Sequence, residues 1–132
     1  MNISIETTYY NCSFSLVDIK CDENNHFECL LNFNAGWLSC RRNFIFTKNH
    51  AVKFSKKLKK IDEPFGVVAV LENTTKNMKV EMECIGPDTI MVSAEGYDNS
   101  EFEQGARLGF NIKKAELEEF MTKFNTFLAQ FS

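Results

Sequence analysis

From Lys113 onward, Leu117, Phe120, Met121, Phe124, Phe127, Leu128 and Phe131 recur at intervals of mostly three and four residues. Residues so spaced share one face of a helix, so they form a broad apolar stripe on a long terminal helix. A stripe with four phenylalanines has to be covered, and a β-sheet is the partner the rest of the sequence can supply.

That supply is legible in the alternation of the preceding segments. Ile3/Ile5, Cys12/Phe14/Leu16, Phe27/Cys29/Leu31/Phe33, Leu38/Cys40 and Phe44/Phe46 recur at period two, the pattern of half-buried strands. Parity changes between Leu16 and Val17, as a β-bulge would cause. The run DENN at 22–25 predicts a turn, because Asp and Asn satisfy nearby backbone groups. After Phe46 the period lengthens, and Ala51, Phe54, Leu58 and Ile61 fall on one face of a helix with lysines mostly on the others. Thr47 or Asn49 is its expected cap, and Asp62, Glu63 and Pro64 its expected stop. Next come FGVVAVLE, NTTKN, MKVEMECI, GPD, TIMVSAEG, a polar loop and ARLGFNI, which read as a four-stranded antiparallel meander. The apolar run Val67 to Leu71 predicts a central strand covered on both faces.

The expected architecture is therefore one α+β domain spanning residues 1–132. It has about seven or eight mostly antiparallel strands, able to fold over into two layers, one helix between strands and a long terminal helix on the sheet. With 132 residues, 44% hydrophobic content and 13 phenylalanines, the chain has material for one good core. There are no internal repeats, low-complexity tracts or linkers.

Charge is distributed unevenly beneath a net of −3. Residues 37–60 hold Arg41, Arg42, Lys48, Lys53, Lys56, Lys57, Lys59 and Lys60 and no acid, while both flanking regions are acidic. Such a block can bind phosphate, or it can be the solvated face of an amphipathic helix; the second reading is preferred because the remainder is acidic. The start of the chain, MNISIETTYYNCSFSL, does not read as a signal peptide, and no apolar run approaches a membrane span. Cys12, Cys21, Cys29, Cys40 and Cys84 are odd in number and follow no familiar disulfide spacing, which fits a reducing cytoplasm.

Catalytic signatures are not found. The two histidines, His26 and His50, lie in no recognisable motif, and there is no nucleophile elbow, zinc helix or phosphate loop. Cys21, His26 and Cys29, with Cys40, make the best metal candidate, but the spacing is irregular and Cys29 and Cys40 share the parity of core positions. Glu81/Glu83 and Glu101/Glu103 are acid pairs at alternate positions, with only Trp37 to suggest a sugar-binding wall. The expectation is a binding protein rather than an enzyme, with no cofactor and no metal.

The order of features resembles a known family. NAGWLSCRRNFIF leads into a helix ending SKKLKKI; PFGVVAVLE and MKVEMECIGPDTIMVSAEG follow; RLGFNI then joins KKAELEEFMTKFNTFLAQ. Across roughly residues 26 to 131 this is similar to the WapI-type and contact-dependent inhibition (CdiI-like) immunity proteins of bacterial toxin–immunity systems. The resemblance implies a cytoplasmic inhibitor whose partner is the toxic domain of one cognate toxin. It brings no catalytic residues.

The expected partner-binding surface is the polar loop 97–104 with the adjoining Glu95, since loops held by rigid strands commonly carry function. Glu95, Asp98, Glu101 and Glu103 would give an acidic rim, and Tyr97 and Phe102 aromatic anchors. If the toxin is a nuclease, an acidic loop can enter its basic cleft. The lysine face near Lys56 to Lys60 is the alternative.

Overall fold

The computed structural model of the chain describes residues 1–7, 11–98 and 104–131. Eight strands form two four-stranded antiparallel sheets, each a meander in sequence order. The first contains β1 (Ile3–Glu6), β2 (Cys12–Cys21), β3 (His26–Ala35) and β4 (Leu38–Thr47). Helix α1 (Lys48–Leu58) follows, then the second sheet of β5 (Val68–Glu72), β6 (Met78–Gly86), β7 (Thr89–Asp98) and β8 (Gln104–Ile112), and finally α2 (Lys114–Ala129). The α+β class, the count of strands and the terminal helix all match the sequence reading.

Local chemistry explains most boundaries. A bulge between Val17 and Lys20 takes up one extra residue of β2, with Asp18 at φ 54° and its N–H donated to Asn2 Oδ1 at 2.9 Å. Asp22 Oδ1 accepts from the N–H groups of Asn24 (2.8 Å) and His26 (2.9 Å), which builds the turn before β3. Thr47 caps α1 by accepting the His50 N–H at 3.1 Å. That helix ends at Leu58, earlier than the proline predicts, because Lys60 and Ile61 tighten into three-residue turns onto Lys57 and Leu58; Ile61 is still buried.

The inner faces of both sheets enclose a phenylalanine-rich core. Phe14, Phe27, Phe33, Phe44, Phe46, Phe54, Phe120, Phe124 and Phe127 are all fully buried. The sheets meet where Phe33 of β3 and Phe110 of β8 lie 5.1 Å apart between ring centroids. Elsewhere the helices fill the space: Phe120 packs on Phe14 (5.9 Å), Phe127 on Phe27 (5.1 Å) and Phe54 on Phe124 (5.3 Å). Ser55 Oγ donates to Asn125 Oδ1 at 2.5 Å, joining the two helices.

One strand assignment needs correction. The run Val67 to Leu71 is not central: β5 is an edge strand of its sheet, and Val70 is 36% exposed. Only Ala69 and Leu71 face the core, and α1 lies alongside β5, so the run owes its apolar character to a flanking helix rather than to cover on both faces. No helix among the described residues is long and apolar enough to cross a membrane.

Candidate functional site

The two sheets part at one mouth of the sandwich and leave an open cleft of about 660 Å³. Its walls come from β4, the β5–β6 turn, the end of β7 and the start of β8. Register assigns each side chain its face. Cys40 pairs with Phe33 and Arg42 with Leu31, both buried, so Leu38, Cys40 and Arg42 continue the inner face of the first sheet. Opposite them, Met78, Ala94 and Leu108 continue the inner face of the second sheet, since Ala94 pairs with both Val80 and Leu108. On the first sheet these core-parity positions lie open, with Leu38 42% exposed and Arg42 exposed, whereas Met78 and Ala94 opposite them are buried and Leu108 is half-buried.

Two turns shape the rim. Gly36 has φ 69° at the first central position of the two-residue β3–β4 turn, where a hairpin matching strand twist requires a positive φ. That turn presents Trp37, 89% exposed, to solvent. In the β5–β6 turn the buried Asn73 accepts through Oδ1 from the N–H groups of Asn77 (3.1 Å) and Met78 (3.3 Å), and donates to Asn77 Oδ1 at 2.6 Å. The turn is tied to the other sheet where the Thr74 N–H donates to the Ile45 carbonyl at 2.8 Å.

Glu95 and Tyr97 lie on the solvent face of the second sheet, at the cleft's edge. Tyr97 Oη donates to Glu95 Oε1, and Lys79 Nζ lies 3.7 Å from Glu95 Oε2 and 2.8 Å from Glu81 Oε1. The tyrosine hydrogen bond, helped by Lys79 and Arg107, holds the Glu95 carboxyl below its ordinary value against some desolvation. The same bond to a carboxylate pushes the Tyr97 hydroxyl up, and the Glu81 hydrogen bond pushes Lys79 up. Tyr97 crosses over Gly105: a Cβ there would stand 2.8 Å from its ring, so only glycine lets the ring lie flat on β8.

The structure thus brings Glu95 and Tyr97 together, and corrects the extent of the polar loop. Tyr97 and Asp98 belong to β7 and pair with Gly105 and Gln104 of β8. The β-forming Tyr97 and its glycine partner extend the ladder further than polarity suggests. Glu101, Phe102 and Glu103 lie outside the described residues. Sequence reasoning missed the cleft and the position of Arg42 within it. The available signal was a charge at the core parity that runs Leu38, Cys40, Arg42, Phe44.

The metal candidates do not converge. Cys29 points into the core, where burial, then the charge of Glu28, pushes its thiol up to about 12, whereas Cys21 is exposed. His26 Nδ1 instead faces Asp22 Oδ2 at 3.8 Å. Among the described residues no group of three or more His, Cys, Asp or Glu side chains is placed to hold a metal ion. Cys40, in the cleft wall, has its thiol raised by burial, opposed by Arg42. Lys53, Lys56 and Lys57 of α1, and Lys59 and Lys60 in the turn after it, are exposed and, among the described residues, form no ion pair.

Compared with known proteins, the chain matches no family model and no curated protein sequence.

Proposed function

We propose that this chain is an immunity protein, which binds the toxic domain of one cognate bacterial toxin in the cytoplasm and neutralises it by covering the active site or another essential surface. The observation that supports this reading is that Tyr97, Arg41 and Arg42 line one open cleft, with the exposed Trp37 in the turn next to Leu38 of its wall. Tryptophan, tyrosine and arginine are the residue types that most often anchor protein interfaces. Exposing Trp37 at 89% has no packing rationale within the chain itself, and recognition of a protein supplies one. In the sequence, Glu95, Asp98, Glu101 and Glu103 supply acids suited to the basic cleft of a nuclease, and Phe102 a further aromatic.

The test is co-expression with the toxin encoded beside this chain, scored by growth, with affinity measured on the purified pair. Trp37→Ala with Tyr97→Ala should weaken binding by at least about tenfold, and neutralising Asp98, Glu101 and Glu103 should slow association and flatten its salt dependence. Full protection by the Trp37/Tyr97 variant would refute the placement; no protection by the unaltered chain against any neighbouring toxin would refute the function.

A second reading rests on the lysines of α1 and the turn after it, exposed and without an ion pair among the described residues, a basic surface suited to nucleic acid. It requires an affinity for oligonucleotides that falls steeply with salt and is lost on charge reversal at Lys56, Lys57 and Lys60.

A further inference from the structure

The cleft has the size and lining of a site for a small molecule. Its volume of about 660 Å³ lies in the range of pockets that enclose drug-sized ligands. Leu38, Ile45 and Tyr97 line it at 42%, 37% and 52% exposure, together with the half-buried Cys40 and Leu108. Across from β4, inner-face positions of the second sheet hold Ala94, Gly96 and Ala106, which are too small to fill the hollow. A Cβ on Gly96 would meet nothing closer than 3.8 Å.

The charged side chains along the cleft are Arg41, Arg42 and Glu95. Glu95 is already engaged by the Tyr97 hydroxyl and by Lys79. The two guanidiniums form no ion pair among the described residues. Arg42 stands on the inner face of its sheet, two residues from Cys40, and its charge is felt at the Cys40 thiol. The cleft therefore pairs apolar walls with unmatched positive charge.

We propose that this cleft binds a small amphipathic carboxylate, its carboxyl group on Arg42 and its hydrocarbon body against Leu38 and Leu108. A guanidinium holds a carboxylate with two parallel hydrogen bonds. A cationic amphiphile would bring like charges together, and a neutral one would cover Arg42 without giving it a partner. A phosphate ester fits less well than a carboxylate. Among the described lining residues there is no lysine and no helix N-terminus to offset a second negative charge, and Glu95 opposes one. The site concerns the chain alone and so stands apart from the immunity reading. Where both hold, ligand and protein compete for Arg42 and Tyr97, and the small molecule regulates the inhibitor.

The experiment titrates the full chain, labelled for amide NMR, with decanoate, decylammonium, decyl phosphate and acetate, all below micelle formation. Decanoate should bind more tightly than decyl phosphate, and at least about tenfold more tightly than decylammonium or acetate. It should shift the amides of Cys40, Arg42, Ala94 and Leu108. It should also slow alkylation of Cys40, followed by mass spectrometry, with the exposed Cys21 as the unprotected control. Arg42→Gln should remove most of decanoate's advantage over decylammonium. Ala106→Trp, at an exposed position, fills the hollow and should abolish binding while circular dichroism stays unchanged. Tighter binding of decyl phosphate or decylammonium, equal binding of acetate, or shifts and protection outside the cleft would each overturn the proposal. The probe series on the unaltered chain decides it even if a variant fails to fold. Decanoate binding without protection from a toxin sinks only the immunity reading; protection without decanoate binding sinks only the ligand site.

Discussion

The two ends of the sandwich obey one parity rule and reach opposite outcomes. In the closed region the inner-face positions are Phe14, Phe27, Phe44 and Phe46, and the helices close over them with Phe120, Phe124 and Phe127. At the open mouth the same parity yields Leu38, Cys40 and Arg42 on the first sheet, of which Leu38 and Arg42 are exposed and Cys40 half-buried, facing a second sheet whose Met78 and Ala94 are already buried. The closed end holds the fold together. The open end leaves inner-face surface of the first sheet exposed, at Leu38 and Arg42.

The comparison breaks first at Phe124, which is fully buried against Phe54, Phe120 and Phe127. Phe124→Ala should cost about 3–5 kcal/mol, read from the urea unfolding midpoint. An unchanged midpoint would mean that the helix stripe is not core.

Asn73 comes next, because it ties the rim of the open end. Asn73→Ala strands the N–H groups of Asn77 and Met78, and should cost about 1–3 kcal/mol. It should also speed hydrogen exchange at Thr74, whose N–H bridges to Ile45. Unaltered exchange there would separate the turn from the cleft.

Phe65 sharpens the contrast from the other side. It is 77% exposed and sits at φ 58°, a conformation costly for a bulky residue, at the end of β6 away from the cleft, where its N–H donates to the Cys84 carbonyl at 2.9 Å. Phe65→Gly should therefore raise stability, by about 0.5–1 kcal/mol, where the same residue type at position 124 lowers it. A loss of stability would show that the ring is held by packing.

The smallest effect concerns Glu95 and leaves the unfolding midpoint in place. Its carboxyl is held low chiefly by the Tyr97 hydroxyl, so Tyr97→Phe should move its NMR titration upward toward the ordinary range. A depressed carboxyl favours the folded state above its unfolded pKa and loses that preference as pH falls through the folded value. Glu95 lies at the sheet surface with its carboxylate reached by solvent, its side chain 23% exposed, so the shift should register in titration rather than in stability. A titration that stays put would show that Lys79 and Arg107 set the carboxyl instead. The partner measurement is Glu95→Gln, which should bring the Tyr97 hydroxyl down, followed by ultraviolet absorbance.

Much of the fold was legible because it depends on period alone. The alternation in Phe27, Cys29, Leu31 and Phe33 marks a strand wherever it occurs, and the stripe of Leu117, Phe120, Phe124 and Phe127 marks a helix that must be covered. What failed to read correctly depended on neighbours. Val68 and Val70 look like the middle of a sheet, yet β5 is an edge strand beside a helix. Tyr97 and Asp98 look like a loop, yet Gly105 and Gln104 pair with them.

The site divides in the same way. Trp37, Arg41, Arg42, Glu95 and Tyr97 stand out in the sequence as residue types that recognise partners, and their chemistry is fixed by the chain. That the last four line one cleft is not written in any local pattern. Residues 37–42 and 95–97 belong to different sheets, and no periodicity within either strand encodes the gap between them. The sequence by itself determined the elements, the face each side chain takes and the demand for an aromatic core, because dihedral preferences and burial act over a few residues. Only tertiary structure decided which inner-face positions were covered and which were left open, because two helices of fixed length cannot fill the full mouth of two splayed sheets.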